Sequence, residues 1–224
     1  MQAIVLADGA VGTRATLDAA WPGWLVRGAV VIAADGGARH AEGLDLTIDR
    51  WVGDGDSLGS AGLDALVAAG IPVELSPTDK DESDTELALR AALDAGADDI
   101  VVLGALGGPR LDHALANLGL LTLSEVAGVE LTVLAVDARI RLLGAQDGGR
   151  LALPGRAGDL VTLLPVGADV EGVTTEGLRY PLRDERLVLG RTRGLSNIRE
   201  RAEAAVTIRS GRLLVVETPA TLRG

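Results

Sequence analysis

The stretch WVGDGDSLGS, residues 51–60, contains a short apolar run that ends in two aspartates separated by one glycine. Its first part, WVGD, has the composition of a buried strand. If the extended backbone continues through the motif, Asp54 and Asp56 point to the same side, because side chains alternate along a strand. Two such carboxylates repel each other unless a cation lies between them. The stretch therefore indicates either a Mg²⁺ site at the end of a strand or an ordinary polar turn.

Similar apolar runs flank this stretch and alternate with segments of helical spacing. The other candidate strands are 3–7, 29–37, 101–105 and 130–136, and the candidate helices are 63–70, 84–96 and 111–128. Strands that alternate with helices predict an α/β domain with a mostly parallel sheet flanked by helices. Ligands bind beyond the carboxyl ends of the strands in such a sheet. The position of Asp54 and Asp56 is therefore suitable for a binding site.

The pattern changes after about residue 137, where the apolar runs become short and are separated by turn residues. The segment TIRSGRLLVVE (207–217) predicts a hairpin around Ser210 and Gly211. Such a pattern is typical of a small β-sandwich or barrel. We therefore predict an α/β domain over residues 1–137 and a smaller all-β sandwich over residues 138–224.

Composition excludes several classes of function. Aromatic residues make up only 2% of the 224 residues, and the formal net charge is −11. Both features disfavour nucleic acid, which requires stacking surfaces and positive charge. The chain has no cysteine, so disulfides and thiolate zinc sites are excluded. No segment resembles a signal peptide or a membrane span, and we expect a cytoplasmic protein without a membrane partner.

A second acidic cluster, TDKDESDTELAL (78–89), lies at a predicted helix start. Ser83 and Glu86 match a capping box. The helix dipole favours acidic residues at this position, which is a structural explanation for the cluster. Asp84, in the first turn, is the acid best placed to reach into a cleft.

Three further motifs are weak when each is taken alone. GALGGPRLDHALANLG (104–119) is a glycine-rich strand-to-helix turn, where backbone N–H groups and Arg110 could bind phosphate. Its spacing matches neither standard nucleotide-binding fingerprint. ADGGARHA (34–41) and TRGLSNIRE (192–200) are each explained by a simple turn.

The order of these motifs is more specific than any one of them. ADGGA, GDGDS, DKDESDTELAL, GGPRLDHALAN, TEGLRYPL and GLSN occur in the order expected of bacterial thiamine pyrophosphokinases, and the resemblance spans Asp35 to Asn197. It implies that residues 1–137 form the catalytic α/β domain that binds ATP and Mg²⁺, and that residues 138–224 form a β-sandwich that binds thiamine and mediates dimerisation. It further implies a homodimer with shared active sites. It also implies transfer of a pyrophosphoryl group from ATP to the hydroxyl of thiamine, which gives thiamine diphosphate and AMP.

The resemblance also assigns roles to individual residues. The implied Mg²⁺ ligands are Asp54, Asp56 and Asp84. The implied catalytic residues are these three acids together with Arg110 and Asp112. The implied ATP-binding residues are Asp35, Gly36, Gly37, Lys80, Asp81 and Arg110. The implied thiamine-binding residues are Asp56, Asp112, Ser196 and Asn197.

The sequence departs from the family pattern at a few positions. Gly55 replaces a usual Phe, Ser83 replaces a usual Thr, and a Pro interrupts GGPRLDH. No aromatic residue follows Asn197, so the residue that stacks on thiamine is left open. The general base is also open among Asp56, Asp84 and Asp112.

Two alternative functions remain at this point. A Mg²⁺-dependent nucleotidyl transferase would also use paired acids at a strand end, but it would release pyrophosphate instead of AMP. A non-catalytic sensor of thiamine or nucleotide would keep the fold, although the presence of all three acids disfavours it.

Overall fold

The computed structural model describes residues 1–222, without the side chains of Asp147 and Leu222. The chain divides into two units, one over Met1–Val136 and one that begins at Asp137. None of the described helices has the length and apolar character for a membrane crossing.

The first unit is built on a parallel sheet. Its strands are β1 (Gln2–Leu6), β2 (Val30–Ala34), β3 (Arg50–Gly53), β4 (Val73–Leu75), β5 (Asp99–Leu103) and β6 (Glu130–Leu134). Its α-helices are α1 (Arg14–Ala20), α2 (Gly59–Ala68), α3 (Asp84–Asp94) and α4 (Leu111–Gly119). The strands pair in the order β6-β5-β1-β2-β3-β4, and each of these pairs is parallel. The predicted α/β architecture is confirmed.

Helices cover both faces of this sheet, which explains why its central strands are continuous apolar runs. On one face, Ile4 and Leu6 of β1 pack in one cluster with Leu17 of α1 and Leu66 of α2. On the other face, α3 packs on β1, β2 and β3. Its buried side chains are Ala88, Leu89, Ala91 and Ala92, and the small alanines allow a close approach to the strands.

Several predicted boundaries were wrong. The candidate strand over 29–37 ends at Ala34, because Asp35–His40 forms a 3-10 helix. The candidate helix over 111–128 ends at Gly119 and is followed by 3-10 turns at Leu120–Thr122 and Ser124–Val126. A glycine at that position weakens the helix. Helix α1 and strand β4 were not predicted.

The second unit consists of two antiparallel sheets. Its strands are β7 (Arg139–Gly144), β8 (Arg150–Pro154), β9 (Leu160–Pro165), β10 (Val170–Glu176), β11 (Glu185–Leu187), β12 (Asn197–Ile198), β13 (Glu203–Thr207) and β14 (Arg212–Thr218). One sheet has the order β12-β9-β14-β7, and the other has the order β11-β10-β13-β8. Residues from both sheets, including Leu153, Leu163, Val206 and Val215, form one buried cluster. The predicted C-terminal sandwich is confirmed.

The predicted hairpin around Ser210 and Gly211 was wrong. Strand β13 pairs with β8 and β10, whereas β14 pairs with β7 and β9, so the segment crosses from one sheet to the other. The crossing is tied to Glu171, whose N–H donates to the carbonyl of Ser210 and whose carbonyl accepts from the N–H of Arg209. Strands β13 and β14 thereby contribute apolar side chains to the shared core from its two opposite sides.

Candidate active site

Three carboxylates converge at the carboxyl end of the parallel sheet. Asp35 follows β2, Asp54 follows the neighbouring strand β3, and Asp84 begins α3. One carboxylate oxygen from each residue lies within 4.8 Å of the others. Because neighbouring parallel strands end at the same edge, residues distant in sequence meet here, as expected for a ligand site in an α/β sheet.

Asp35 is held in an unusual conformation. Its φ of 41° lies in the left-handed region, and its carbonyl accepts a hydrogen bond of 3.0 Å from Nε1 of the buried Trp51. Gly53 leaves room for it, since a Cβ at that position would lie 2.9 Å from Cβ of Asp35. Such conformations persist only where the surroundings impose them, often at functional sites.

The Asp35 carboxylate is also incompletely satisfied. The residue is only 5% exposed, and its Oδ1 has no hydrogen-bond partner among the described residues. Its Oδ2 accepts one bond of 3.3 Å from the N–H of Ser57. Burial raises the pKa of Asp35, an effect that the bond from Ser57 partly offsets. A buried carboxylate oxygen with no donor is suited to binding a cation.

The motif that contains Asp54 and Asp56 does not continue as a strand. Strand β3 ends at Gly53, and Gly55 adopts a φ of 82°. The N–H of Asp56 donates to Oδ1 of Asp54 at 3.1 Å, which is an Asx-type turn. As a result Asp54 is nearly buried, Asp56 is exposed, and the two carboxylates do not share a strand face. Asp56 lies outside the three-carboxylate group, and its role as a metal ligand stays a prediction.

Lys80 lies between two of the three acids. Its Nζ is 2.9 Å from Oδ1 of Asp84 and 3.5 Å from Oδ2 of Asp54, and it donates to Oγ of Ser76 at 3.0 Å. Burial opposes the charged ammonium, but the hydrogen bond and charge of Asp84, with the charge of Asp54, raise the pKa of Lys80 overall. The Lys80 ammonium is therefore held as a cation between the carboxylates of Asp54 and Asp84.

Ser83 caps α3 as predicted, but among the described residues only half of the predicted capping box is formed. Its Oγ accepts a hydrogen bond of 3.2 Å from the N–H of Glu86. The Glu86 carboxylate pairs with Arg90. This cap places Asp84 in the first helical turn, where the helix dipole favours a carboxylate.

Arg110 and Asp112 form an exposed ion pair at the start of α4. Nε of Arg110 donates to Oδ1 of Asp112 at 2.9 Å, and Nη2 lies 2.5 Å from Oδ2. The hydrogen bond from Arg110 holds the pKa of Asp112 well below its usual range. Among the ion pairs of the described residues, none joins Arg110 to the three-carboxylate group.

The predicted nucleotide loop after β2 is tightly packed. Gly36 and Gly37 are buried, and a Cβ on Gly37 would lie 2.0 Å from the carbonyl oxygen of Leu6. Only glycine allows this approach. Asp81, also predicted to bind ATP, is exposed.

A small pocket lies within the second unit, next to the GLSN motif. Its lining residues are Leu163, Tyr180, Leu182, Arg193, Gly194, Leu195 and Asn197. The amide of Asn197 is used by the backbone: Oδ1 accepts from the N–H of Tyr180 at 3.0 Å, and Nδ2 donates to its carbonyl at 2.7 Å. Ser196 is exposed with a φ of 54°.

Tyr180 is the residue that the motif search missed. It is 55% exposed, whereas Trp21, Trp24 and Trp51 are buried, so among the described residues it is the one accessible aromatic ring. The chain has no Phe and only this Tyr, and it stands inside TEGLRYPL. That scarcity was the signal that could have identified it.

Comparison with known proteins gives a consistent result. Residues 24–133 match the family model "Thiamin pyrophosphokinase, catalytic domain", and residues 150–215 match "Thiamin pyrophosphokinase, vitamin B1 binding domain". The chain is similar to the thiamine pyrophosphokinase of Bacillus subtilis strain 168, with 28% identity over 174 residues that cover 74% of this chain and 76% of the relative.

Solved structures share the fold. The thiamine pyrophosphokinase from Bacillus subtilis superimposes with a TM-score of 0.84 at 22% identity, over 98% of this chain and 99% of that one. A thiamin pyrophosphokinase family protein from Enterococcus faecalis has a TM-score of 0.78 at 25% identity, over 97% and 99% of the two chains.

Proposed function

Because the chain belongs to the thiamine pyrophosphokinase family, we propose that it transfers the pyrophosphoryl group of ATP to the hydroxyl of thiamine, giving thiamine diphosphate and AMP. The observation that carries this proposal within the chain is the group of Asp35, Asp54 and Asp84 at the carboxyl ends of β2 and β3. A protein with a formal net charge of −11 needs local positive charge to bind a polyphosphate.

Enzymes of this family use ATP and typically metal ions. The three carboxylates fit Mg²⁺, because all of their donors are hard oxygens and the buried Oδ1 of Asp35 has no other partner among the described residues. When bound, such an ion offsets the charge that develops on phosphate oxygens. Asp35 is a better candidate ligand than Asp56, which is exposed.

Arg110 is proposed to bind the terminal phosphates of ATP. Its guanidinium is exposed and, within the described part of the chain, is bound only to the equally exposed Asp112, a contact that water screens strongly. Phosphate oxygens offer the same bidentate geometry with more charge, so Arg110 can exchange Asp112 for the nucleotide. Gly36, Gly37 and Asp81 stay proposed ATP contacts, and Asp112 stays a proposed thiamine contact.

The reaction requires the hydroxyl oxygen of thiamine to form a bond to the β-phosphorus while the bond to the α–β bridging oxygen breaks. The hydroxyl proton must leave during this exchange. Asp56 is the proposed acceptor, because it lies outside the three-carboxylate group that is proposed to bind metal, whereas Asp84 belongs to that group. Asp56 is exposed, and among the side-chain hydrogen bonds of the described residues its carboxylate accepts only from Oγ of neighbouring Ser57. Asp112 stays the alternative acceptor.

Tyr180 is the proposed aromatic contact for thiamine. Its ring lines the pocket of the second unit, and a flat aromatic ring of thiamine can stack on it. Asn197 acts through Tyr180, because its amide holds the backbone of that residue on both sides. Ser196 offers an exposed hydroxyl beside this pocket.

A homodimer with shared sites is proposed on the same basis. Exposed apolar side chains such as Leu111, Leu115 and Leu195 are available for an interface. If Ser196 completes the site of a partner subunit, mixing Asp54→Asn with Ser196→Ala subunits should restore part of the activity. Verified subunit exchange without recovery would contradict a shared site. The cytoplasmic location also stays a prediction.

The test of the proposed function is product identification. The protein is incubated with ATP, Mg²⁺ and thiamine, and the nucleotide and thiamine products are separated by chromatography. AMP formed in step with thiamine diphosphate is expected. ADP with thiamine monophosphate would contradict the proposal, and pyrophosphate with a nucleotidylated product would favour the nucleotidyl transferase alternative.

A further inference from the structure

The chain uses arginine almost exclusively as its basic residue. Of its 21 lysine and arginine residues, Lys80 is the only lysine. That single lysine lies in the β4–α3 connection, against Asp54 and Asp84. An ammonium group differs from a guanidinium in being compact, with its charge on one atom. The one position where the chain carries a side-chain ammonium therefore lies against two of the three carboxylates that could hold a small cation.

The Lys80 ammonium is bound much as a small cation would be. The side chain is 12% exposed, and Nζ contacts oxygens of Asp84, Asp54 and Ser76 at 2.9, 3.5 and 3.0 Å. Two of these oxygens belong to the proposed metal ligands. The third acid, Asp35, keeps its unpaired Oδ1 while Lys80 is in this position. The ammonium thus offsets only part of the negative charge of the three carboxylates.

A divalent ion and the Lys80 ammonium would compete for the same negatively charged carboxylate oxygens. Nearby like charges at low solvent exposure repel strongly, and each contact that Lys80 makes uses an oxygen lone pair that a metal ion would need. Rotation about the side-chain bonds of Lys80 can carry Nζ to other oxygen partners without a change in the backbone. A polyphosphate beside the site offers the ammonium new oxygen partners, which the free protein does not.

We propose that Lys80 is an internal competitor of the metal ion. Its ammonium bridges Asp54 and Asp84 in the free protein and moves to phosphate oxygens when nucleotide is bound. The free protein therefore binds metal weakly, and nucleotide increases the affinity for metal. The inference rests on the proposed function only in taking a nucleotide polyphosphate as the ligand. Lys80 acts here as a positioning residue, by controlling access to the acids.

Metal affinity is the first test. Mn²⁺ is titrated into wild-type protein, Lys80→Met and Arg90→Met, with and without an ATP analogue that has a methylene group between the α and β phosphorus atoms. Without the analogue, Lys80→Met should bind Mn²⁺ at least about tenfold more tightly than wild type, because one opposing charge at contact distance is removed. The analogue should increase Mn²⁺ affinity much more in wild type than in Lys80→Met.

Arg90→Met is the matched control. Arg90 lies on α3, the helix that begins with Asp84, and pairs with Glu82 and Glu86. Its removal deletes one positive charge from this region without removing a contact of the three acids. It should leave Mn²⁺ affinity close to wild type. Unchanged or weaker Mn²⁺ binding by Lys80→Met, or an equal gain in Arg90→Met, would overturn the proposal.

The wild-type protein provides a second test that needs no variant. Because the chain has one lysine, isotopically labelled lysine gives a single side-chain methylene signal beside the ammonium in an NMR spectrum. This side chain should be immobile in the free protein, mobile at saturating Mg²⁺, and immobile again after addition of the analogue. A side chain that stays immobile at saturating Mg²⁺ would show that Lys80 and the ion bind to the acids at the same time. That result would overturn the proposal that they compete.

The two proposals fail separately. Absence of thiamine diphosphate and AMP in the product assay would overturn the proposed function, whereas the Mn²⁺ titration and the NMR signal measure Lys80 directly. Conversely, a protein that makes these products but shows no competition would overturn only the inference about Lys80.

Discussion

Among the described residues, a group of charged side chains in each unit has limited access to water, and the hydrogen bonding of the two groups differs. In the second unit, Glu217 is fully buried, and both of its carboxylate oxygens accept hydrogen bonds from arginines. The donors are Arg139, Arg141 and Arg199, at 2.7 to 2.8 Å. In the first unit, three carboxylates share one lysine, and Oδ1 of Asp35 has no partner among the described residues.

This difference separates a structural group from a binding group. Glu217, on β14, is surrounded by arginines of β7 and of the segment after β12, so its charge is balanced within the fold. The group around Asp35 leaves negative charge for a ligand to balance. Loss of a Glu217 contact should therefore affect stability, and loss of an acid in the first unit should affect activity.

The largest effect is expected for Glu217→Gln. The substitution keeps the shape but removes the charge that the buried arginines require, and breaking a buried ion pair costs about 3–5 kcal/mol. Chemical denaturation should show a lower free energy of unfolding, while the activity of the remaining folded protein stays near wild type. Loss of activity without loss of stability would place Glu217 in the functional group and break the comparison.

Asp54→Asn should show the opposite behaviour. It removes charge from the proposed metal site, and the turnover with ATP, thiamine and Mg²⁺ should fall about a hundredfold or more, the scale for loss of preorganised electrostatic stabilisation. Thermal unfolding without metal should be little changed. Wild-type turnover and an unchanged Mg²⁺ dependence would contradict the assignment.

Tyr180→Ala should have an intermediate effect. The loss of ring contact is expected to raise the KM for thiamine about tenfold, in line with the energy of an aromatic pair, and to leave the KM for ATP unchanged. Tyr180→Phe is the control, since it keeps the ring. Equal KM values for thiamine in the wild-type and Tyr180→Ala proteins would exclude stacking on this residue.

The smallest effect is expected for Asp35→Asn in the absence of metal. Burial raises the pKa of Asp35, so its charged form is disfavoured in the fold, and removal of that charge should slightly raise the free energy of unfolding near neutral pH. Asn tolerates the left-handed backbone found there. The same variant should lose the stabilisation that Mg²⁺ gives to wild type. Lower stability without metal would show that Asp35 is structural.

Sequence reasoning anticipated two members of the three-carboxylate group as metal ligands and did not anticipate the third in that role. Asp54 and Asp84 were singled out because each follows a clear local signal, a strand end or a helix cap. Asp35 was assigned only to the nucleotide, because its approach to Asp54 depends on the pairing of β2 with β3. Tyr180 was missed because its neighbour Asn197 is distant in sequence, and their contact is a tertiary one.

By itself, the sequence determined the α/β and all-β halves and the family, because hydrophobic periodicity and ordered motifs are local properties of the chain. Tertiary structure alone decided three other features: the crossing of β13 and β14 between sheets, the unpaired oxygen of Asp35, and the position of Lys80 between Asp54 and Asp84. Each depends on which distant residues come into contact and on how much water they exclude. A local pattern does not encode these two quantities.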